Sequence, residues 1–271
     1  MDIFLVLFLA FYFGLGLAAG FMAGLLGVGG GLLMVPALSW AFAQQSFTPE
    51  YNIHLALATS LAVIIPTSLS SLRTHHAHGA VDWLTVRRIL PGILIGTLVG
   101  GLAAAKLPDA SLKIFFTLFL FYAATQMLLG FKPPASRQMP GNAGMTLAGT
   151  LIGVISSWVG IGGGTLSVPF LTWCNAGLRQ AIGTSSAIGL PIALGGSVGY
   201  MISGLAISGL PSASFGFVYL PALLAIALGS WLTAPFGARA THRLPVLQVK
   251  RIFAGLLYVL AVRMAYSLWA G

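Results

Sequence analysis

Charge is what this chain lacks. Of its 271 residues only 6% are charged, whereas a soluble globular domain carries about a quarter. With 58% hydrophobic residues and a mean hydropathy of +0.96, it has too little polar sequence to cover a water-facing surface. A soluble domain is therefore excluded. Acids are scarcest of all: Asp2, Glu50, Asp82 and Asp109 are the full set, and each falls near the end of an apolar segment. No carboxylate is expected at mid-membrane, where proton and sodium pumps typically place one. Asp82 and Asp109 are positioned to cap the fourth and fifth apolar elements. Cysteine is nearly absent as well. Cys174 stands alone and reads as small apolar filler, which excludes an intramolecular disulfide and a cysteine-based metal framework. There is neither a pair of intramembrane acids nor a His-Glu-x-x-His helix, so the chain is not expected to be an enzyme, and no metal or other cofactor is implied. The start, Met1-Asp2-Ile-Phe-Leu, lacks the positive region of a signal peptide and reads as a retained first helix.

What the chain does contain is apolar sequence in stretches of about 20 residues, the length a helix needs to cross the hydrocarbon core. The fold class is an all-α polytopic membrane protein with about ten apolar elements. They lie near 3–25, 28–44, 51–71, 83–105, 111–130, 143–159, 161–175, 179–203, 216–238 and 246–269. Thr48-Pro49-Glu50 reads as an N-cap, a first-turn proline and a first-turn acid for the third element.

One short run appears twice: Gly27-Val-Gly-Gly-Gly-Leu-Leu-Met-Val-Pro36 and Gly160-Ile-Gly-Gly-Gly-Thr-Leu-Ser-Val-Pro169. Further pairs accompany it. Ala58-Thr59-Ser60-Leu61 with Pro66 matches Gly183-Thr184-Ser185-Ser186 with Pro191, Pro91 pairs with Pro221, and Lys113 and Phe116 pair with Lys250 and Phe253. The polar, Pro-rich segment 132–142 falls between the copies. It divides the chain into a first repeat, 1–131, a cytoplasmic linker, and a second repeat, 143–271. Five elements per repeat is an odd number, so the second enters the membrane inverted, the plan of many transporters.

Charge supports that topology. With the amino terminus outside, ten of the thirteen Lys and Arg residues fall on the cytoplasmic side, and only Lys106, Lys113 and Arg263 fall outside. The net charge of +9 thus marks orientation, and nucleic acid is not an expected partner. The bias holds equally if elements one and two, or six and seven, are re-entrant hairpins instead of full spans.

The glycine runs are the first candidates for a binding site. A helix starting at Gly29, Gly30, Gly31 or at Gly162, Gly163, Gly164 turns free N–H donors and a partial positive charge on whatever precedes it, which suits a small oxyanion. The competing reading is close helix packing, and it fits Gly20/Gly24, Gly96/Gly100, Gly149/Gly153 and Gly195/Gly199. The hydroxyls of Thr59, Ser60, Thr184 and Ser185 lie mid-segment, about two turns before a helix-kinking proline. They either donate to a substrate oxygen or bond back to the preceding turn. His75-His76-Ala77-His78 reads as a solvated loop in preference to a metal cluster, since no acid or cysteine is near. His54 is a proton-relay candidate or an interface residue, and His242 reads as solvated.

The two glycine runs resemble the duplicated signature of the sulfite exporter TauE/SafE family, as do Gly183-Thr-Ser-Ser, Ser203-Gly-Leu and Gly216-Phe-Val-Tyr-Leu-Pro-Ala-Leu223. The likeness covers nearly the whole chain. It implies a bacterial inner-membrane permease that moves a sulfur-containing anion, such as sulfite or an organosulfonate, outward. Substrate and direction come from the resemblance alone. Another small anion, inward movement, and a non-transporting scaffold subunit are the alternatives. The expected partners are the substrate and membrane lipid, and oligomeric state is left open.

Overall fold

The computed structural model describes residues 3–27, 29–130, 138–241 and 243–269. Their order is α1 (Ile3–Leu26), α2 (Gly31–Gln44), a single 3₁₀ turn (Pro49–Tyr51), α3 (Asn52–Ala77), α4 (Trp83–Ala104), α5 (Asp109–Leu129), α6 (Asn142–Val159), α7 (Gly164–Trp173), α8 (Leu178–Gly204), a two-residue hairpin of β1 (Ser214–Phe215) and β2 (Val218–Tyr219), α9 (Leu220–Ala240) and α10 (Val246–Trp269). The chain is an all-α polytopic membrane protein.

Eight of these helices are long and apolar enough to cross a bilayer. The exceptions, α2 and α7, have 14 and 10 residues and reach only about 21 and 15 Å at 1.5 Å per residue, short of the roughly 30 Å core. Helix α2 instead folds back beside α1, and α7 packs against α8. Near the far end of the first hairpin, Phe11 meets Trp40 at 5.4 Å between ring centroids, Tyr12 meets Phe42 at 6.4 Å, and the Gln45 amide donates to the Tyr12 hydroxyl. The choice between full spans and half-crossings, open in the sequence, falls to half-crossings for α2 and α7.

The hairpins lock the two halves together. Helix α1 packs against α9, and α6 against α4, so each half lends its first helix to the other. Glycines make this possible: a Cβ at Gly24 would lie 2.0 Å from the Ala234 carbonyl oxygen, and one at Gly92 would lie 1.9 Å from that of Thr146. In lipid, where apolar side chains gain little by meeting each other, such close backbone approach supplies the packing energy. All four small-residue pairs expected to serve packing do so. Helices α3 and α8 cross at the centre and are buried along most of their length, while α5 and α10 pair beside them. Outward-facing Leu118, Leu224 and Val259 present the apolar surface a lipid environment requires.

Several local expectations need correction. The third helix runs on to Ala77, so His75 is not in a solvated loop: it is fully buried, its Nε2 3.1 Å from the Gly24 carbonyl oxygen. Asp82 does cap α4, accepting from the Leu84 and Thr85 amides. Asp109 instead lies inside α5 and caps α3 from across the bundle, accepting from the Ile53 amide at 2.8 Å. Pro49 opens the 3₁₀ turn, but the Thr48 hydroxyl makes no cap and donates to the Gly209 carbonyl at 2.9 Å. The ninth helix starts at Leu220, because 214–219 form the hairpin. Pro91 sits well inside α4 and Pro221 in the first turn of α9, so these two are not at matching positions. Lys113 and Lys250, by contrast, each stand four residues after the start of α5 and α10, and Phe116 and Phe253 are both buried. His242, Lys132 and Arg137 lie outside the described residues.

Candidate functional site

Both glycine runs leave the helix through left-handed backbone. Gly27 and Gly160 have φ of +69° and +66°, and the N-caps of α2 and α7, Gly30 and Gly163, have +77° and +78°. A side chain in that conformation is strained, so glycine is favoured at these turns. The runs meet tip to tip. A Cβ at Gly29 would fall 2.8 Å from the Cα and N of Gly162, and one at Gly31 would fall 2.1 Å from the Gly160 carbonyl oxygen. What precedes the start of α2 is therefore the other break's backbone, and the contact closes the centre of the bundle.

Of the four hydroxyls singled out in the sequence, the two serines secure this closure. Ser60 on α3 donates to the Gly160 carbonyl at 2.8 Å, and Ser185 on α8 donates to the Gly27 carbonyl at 3.1 Å. Each serine thus holds the break of the opposite half, and Ser167 on α7 adds a bond to Ser185 at 2.9 Å. The threonines tie other helix starts: Thr59 accepts from the amide of Tyr219, the N-cap of α9, and Thr184 from that of Asp82, the N-cap of α4, both at 3.0 Å. None of the four bonds back to its own preceding turn. Burial pushes the Tyr219 phenol above its ordinary range.

Beside the closure lies a small cavity of about 10 Å³, room for about one water molecule, lined by Ala23, Gly27, Gly29, Thr67, Ser68, Ser71 and Ser186. Of the residues expected at a site only Gly29 borders it; Gly30 and Gly31 face backbone of Ala19 and of Gly160, Gly162 packs on Gly29, and Gly163 lies against Ile192 and Ser156. Gly164 opens α7. The sequence reading missed the hydroxyls of Thr67, Ser68, Ser71 and Ser186, although Thr67-Ser68-Leu69-Ser70-Ser71 is a dense polar run for a membrane helix. It follows Pro66, which leaves the Ala62 carbonyl without its helical donor. Thr67 is held by Ser230 at 2.7 Å, and Ser71 donates to Ser186 at 3.3 Å.

The cavity is one-sided. At the spacing that relates Thr59-Ser60 to Thr184-Ser185, the positions matching Thr67, Ser68, Ser71 and Ser186 are Ile192, Ala193, Gly196 and Leu61. Hydroxyls line only the side nearest the C-terminal end of α3 and the start of α8, where exposed Arg73 and Arg179 lie. His54 is not in the cavity. It is buried at the opposite end of α3, with Nε2 3.0 Å from the Leu107 carbonyl oxygen and its ring stacked on Phe217 at 5.3 Å.

Eight long apolar helices, two broken half-crossings and a hydroxyl-lined central cavity define a polytopic membrane protein of the transporter type. Comparison with known proteins places it further. The sulfite exporter TauE/SafE family matches residues 12–264, and the chain belongs to that family. It is 38% identical to a "probable membrane transporter protein" of Haemophilus influenzae, over 92% of this chain and 95% of the relative. It is 24% identical to a protein of the same description, YunE of Bacillus subtilis, over 93% and 96%. A Methanocaldococcus jannaschii protein, also described as a probable membrane transporter, is 24% identical over 92% of each chain. No solved structure matches. The family and these relatives are membrane transporters, not enzymes.

Proposed function

We propose that this transporter exports a small sulfur oxyanion, sulfite or an organosulfonate such as sulfoacetate, across the bacterial inner membrane. It would do so by alternating access between two inverted five-element repeats, 1–131 and 143–271, with the amino terminus outside. The observation that carries this reading is the one-sided hydroxyl cavity against the Gly29–Gly162 closure. An anion drawn in by the basic loops would meet the Ser68 hydroxyl, and would recruit those of Ser71 and Ser186 by displacing their bonds to Ser186 and to the Ile182 carbonyl. Opening the glycine contact would pass it to the other face. In this scheme Ser60 and Ser185 are the latches, Thr59 and Thr184 tie the starts of α9 and α4, and Gly29–Gly31 and Gly162–Gly164 are the gate. Glu50, Asp82 and Asp109 all stand at or next to a helix end, so carboxylate-based cation coupling has little support here. An anion leaving a cell that is negative inside gains about 2.3 kcal/mol per charge per 100 mV, which favours export.

Flux in proteoliposomes tests the proposal, using sulfite, sulfoacetate, thiosulfate and sulfate with membrane potential and pH gradient set independently. Electrogenic movement of sulfite or sulfoacetate that ignores the pH gradient is expected. Electroneutral movement that tracks pH would replace potential drive with proton coupling, and movement of none of the four would remove the sulfur substrate class.

A further inference from the structure

Two of the three cations that break the charge bias, Lys113 and Arg263, come together in space. They line one cleft of about 150 Å³ between α2, α3, α5 and α10, with Pro36, Ser39, Trp40 and Asn52. Arg263 lies over the Trp40 ring, its guanidinium carbon 5.2 Å from the centroid. Such stacking fixes the guanidinium plane and leaves its N–H edges available. Among the described residues Arg263 has no carboxylate partner. Lys113 is 3.6 Å from Asp109, which offsets one of the two cations, and the unpaired Arg263 leaves the cleft net positive. Buried Ser39 donates to the Asn52 carbonyl at 2.6 Å, which commits the acceptor and leaves the Asn52 NH₂ free to donate elsewhere.

The pairing is specific to this face. At the spacing relating Lys113 to Lys250, the position matching Arg263 is Gln126. A cation needed only to reach polar solvent from a helix end would snorkel and require no aromatic floor or amide neighbour.

We propose that this cleft binds a single oxyanion group of the phosphate or sulfonate type, held by the Arg263 and Lys113 donors with the Asn52 amide beside them. Lys113 lies one turn into α5, and Arg263 lies near the end of α10. That depth admits a phospholipid headgroup or an anion from solution, and the two sources share the same chemistry. The inference is independent of the transport reading, because no residue of the central cavity takes part.

The test uses the full chain purified in detergent, in two arms. One follows thermal unfolding with added sulfate against chloride at matched ionic strength. The other follows retention of phosphatidylglycerol against phosphatidylcholine by native mass spectrometry. The wild type is expected to respond in at least one arm. Arg263→Gln combined with Lys113→Gln should weaken that response by at least about tenfold, as expected for loss of charge-assisted bonds, while Lys106→Gln, outside the cleft, leaves it intact. Arg263→Lys keeps the charge but loses the planar fork, so it should weaken the response several-fold and provides a reading if the double variant is not recovered folded. A sulfate response assigns the aqueous source and a lipid response the headgroup. No wild-type response in either arm, or an unchanged response in the Arg263 variants, overturns the site.

Discussion

The Ser60 hydroxyl on α3 donates to the Gly160 carbonyl at 2.8 Å, joining the centre of the first half to the break that ends α6 in the second. Ser185 makes the reciprocal bond to Gly27. A helix that stops inside a membrane leaves carbonyls that water cannot reach, and each unsatisfied group is costly there. These serines satisfy them with donors from the other half. The breaks are thereby stabilised only when both halves are assembled.

Removing one latch should therefore act on stability. Ser60→Ala or Ser185→Ala leaves a buried carbonyl without its donor, at a cost of about 1–3 kcal/mol. The melting temperature in detergent should fall by several degrees in both, and further in Ser185→Ala, which also frees Ser167. An unchanged melting temperature in both would show that the breaks do not depend on these bonds.

The cavity hydroxyls should act on transport instead. Ser71 and Ser186 bond to each other at the cavity wall, so replacing both with alanine strands no donor against an apolar wall. Flux is expected to fall about tenfold or more through loss of bonds to a charged substrate, with only a small change in melting temperature. Full flux in Ser71→Ala/Ser186→Ala would move the substrate path away from this cavity.

Glycine substitutions separate packing from gate. Gly92→Leu places its Cβ 1.9 Å from the Thr146 carbonyl and should prevent α4 and α6 from docking, read as loss of folded protein in size-exclusion chromatography. Gly14→Ala, which meets nothing within 4 Å, should be recovered like the wild type. Gly29→Leu is not a clean test of binding, although the sequence suggests it as one. Its left-handed φ and the 2.8 Å approach to Gly162 predict that it perturbs folding together with transport.

Orientation can be read directly by labelling. In a Cys174→Ala background, a membrane-impermeant maleimide applied to intact cells should modify Ser111→Cys and spare Gln180→Cys, both positions being exposed. The reverse pattern would place the amino terminus inside.

Much of this protein follows from its sequence because a bilayer limits the choices. Low charge and apolar stretches of spanning length force helices, and nine of the ten both begin and end within a few residues of where hydropathy puts them, α3 being the one that runs well past at its end. The repeated Gly runs mark the breaks, since glycine takes the left-handed turns at Gly30 and Gly163 without the strain a side chain brings. The small-residue spacing of α1, α4 and α6 announces close packing. Partners were not legible. Hydropathy is a property of one segment, whereas Thr59 with Tyr219, Ser60 with Gly160, and Lys113 with Arg263 are meetings between distant segments. Hydroxyl spacing could not separate latch from cavity, because Ser60 and Ser71 lie on one helix and differ only in what stands opposite. His75 looked solvated because the extent of α3 depends on its packing against Gly24. Composition and periodicity determined a helical membrane protein with two central breaks. The tertiary structure alone decided which breaks touch, which hydroxyls hold them and which are left to face a cavity, because that depends on where one helix places the backbone of another.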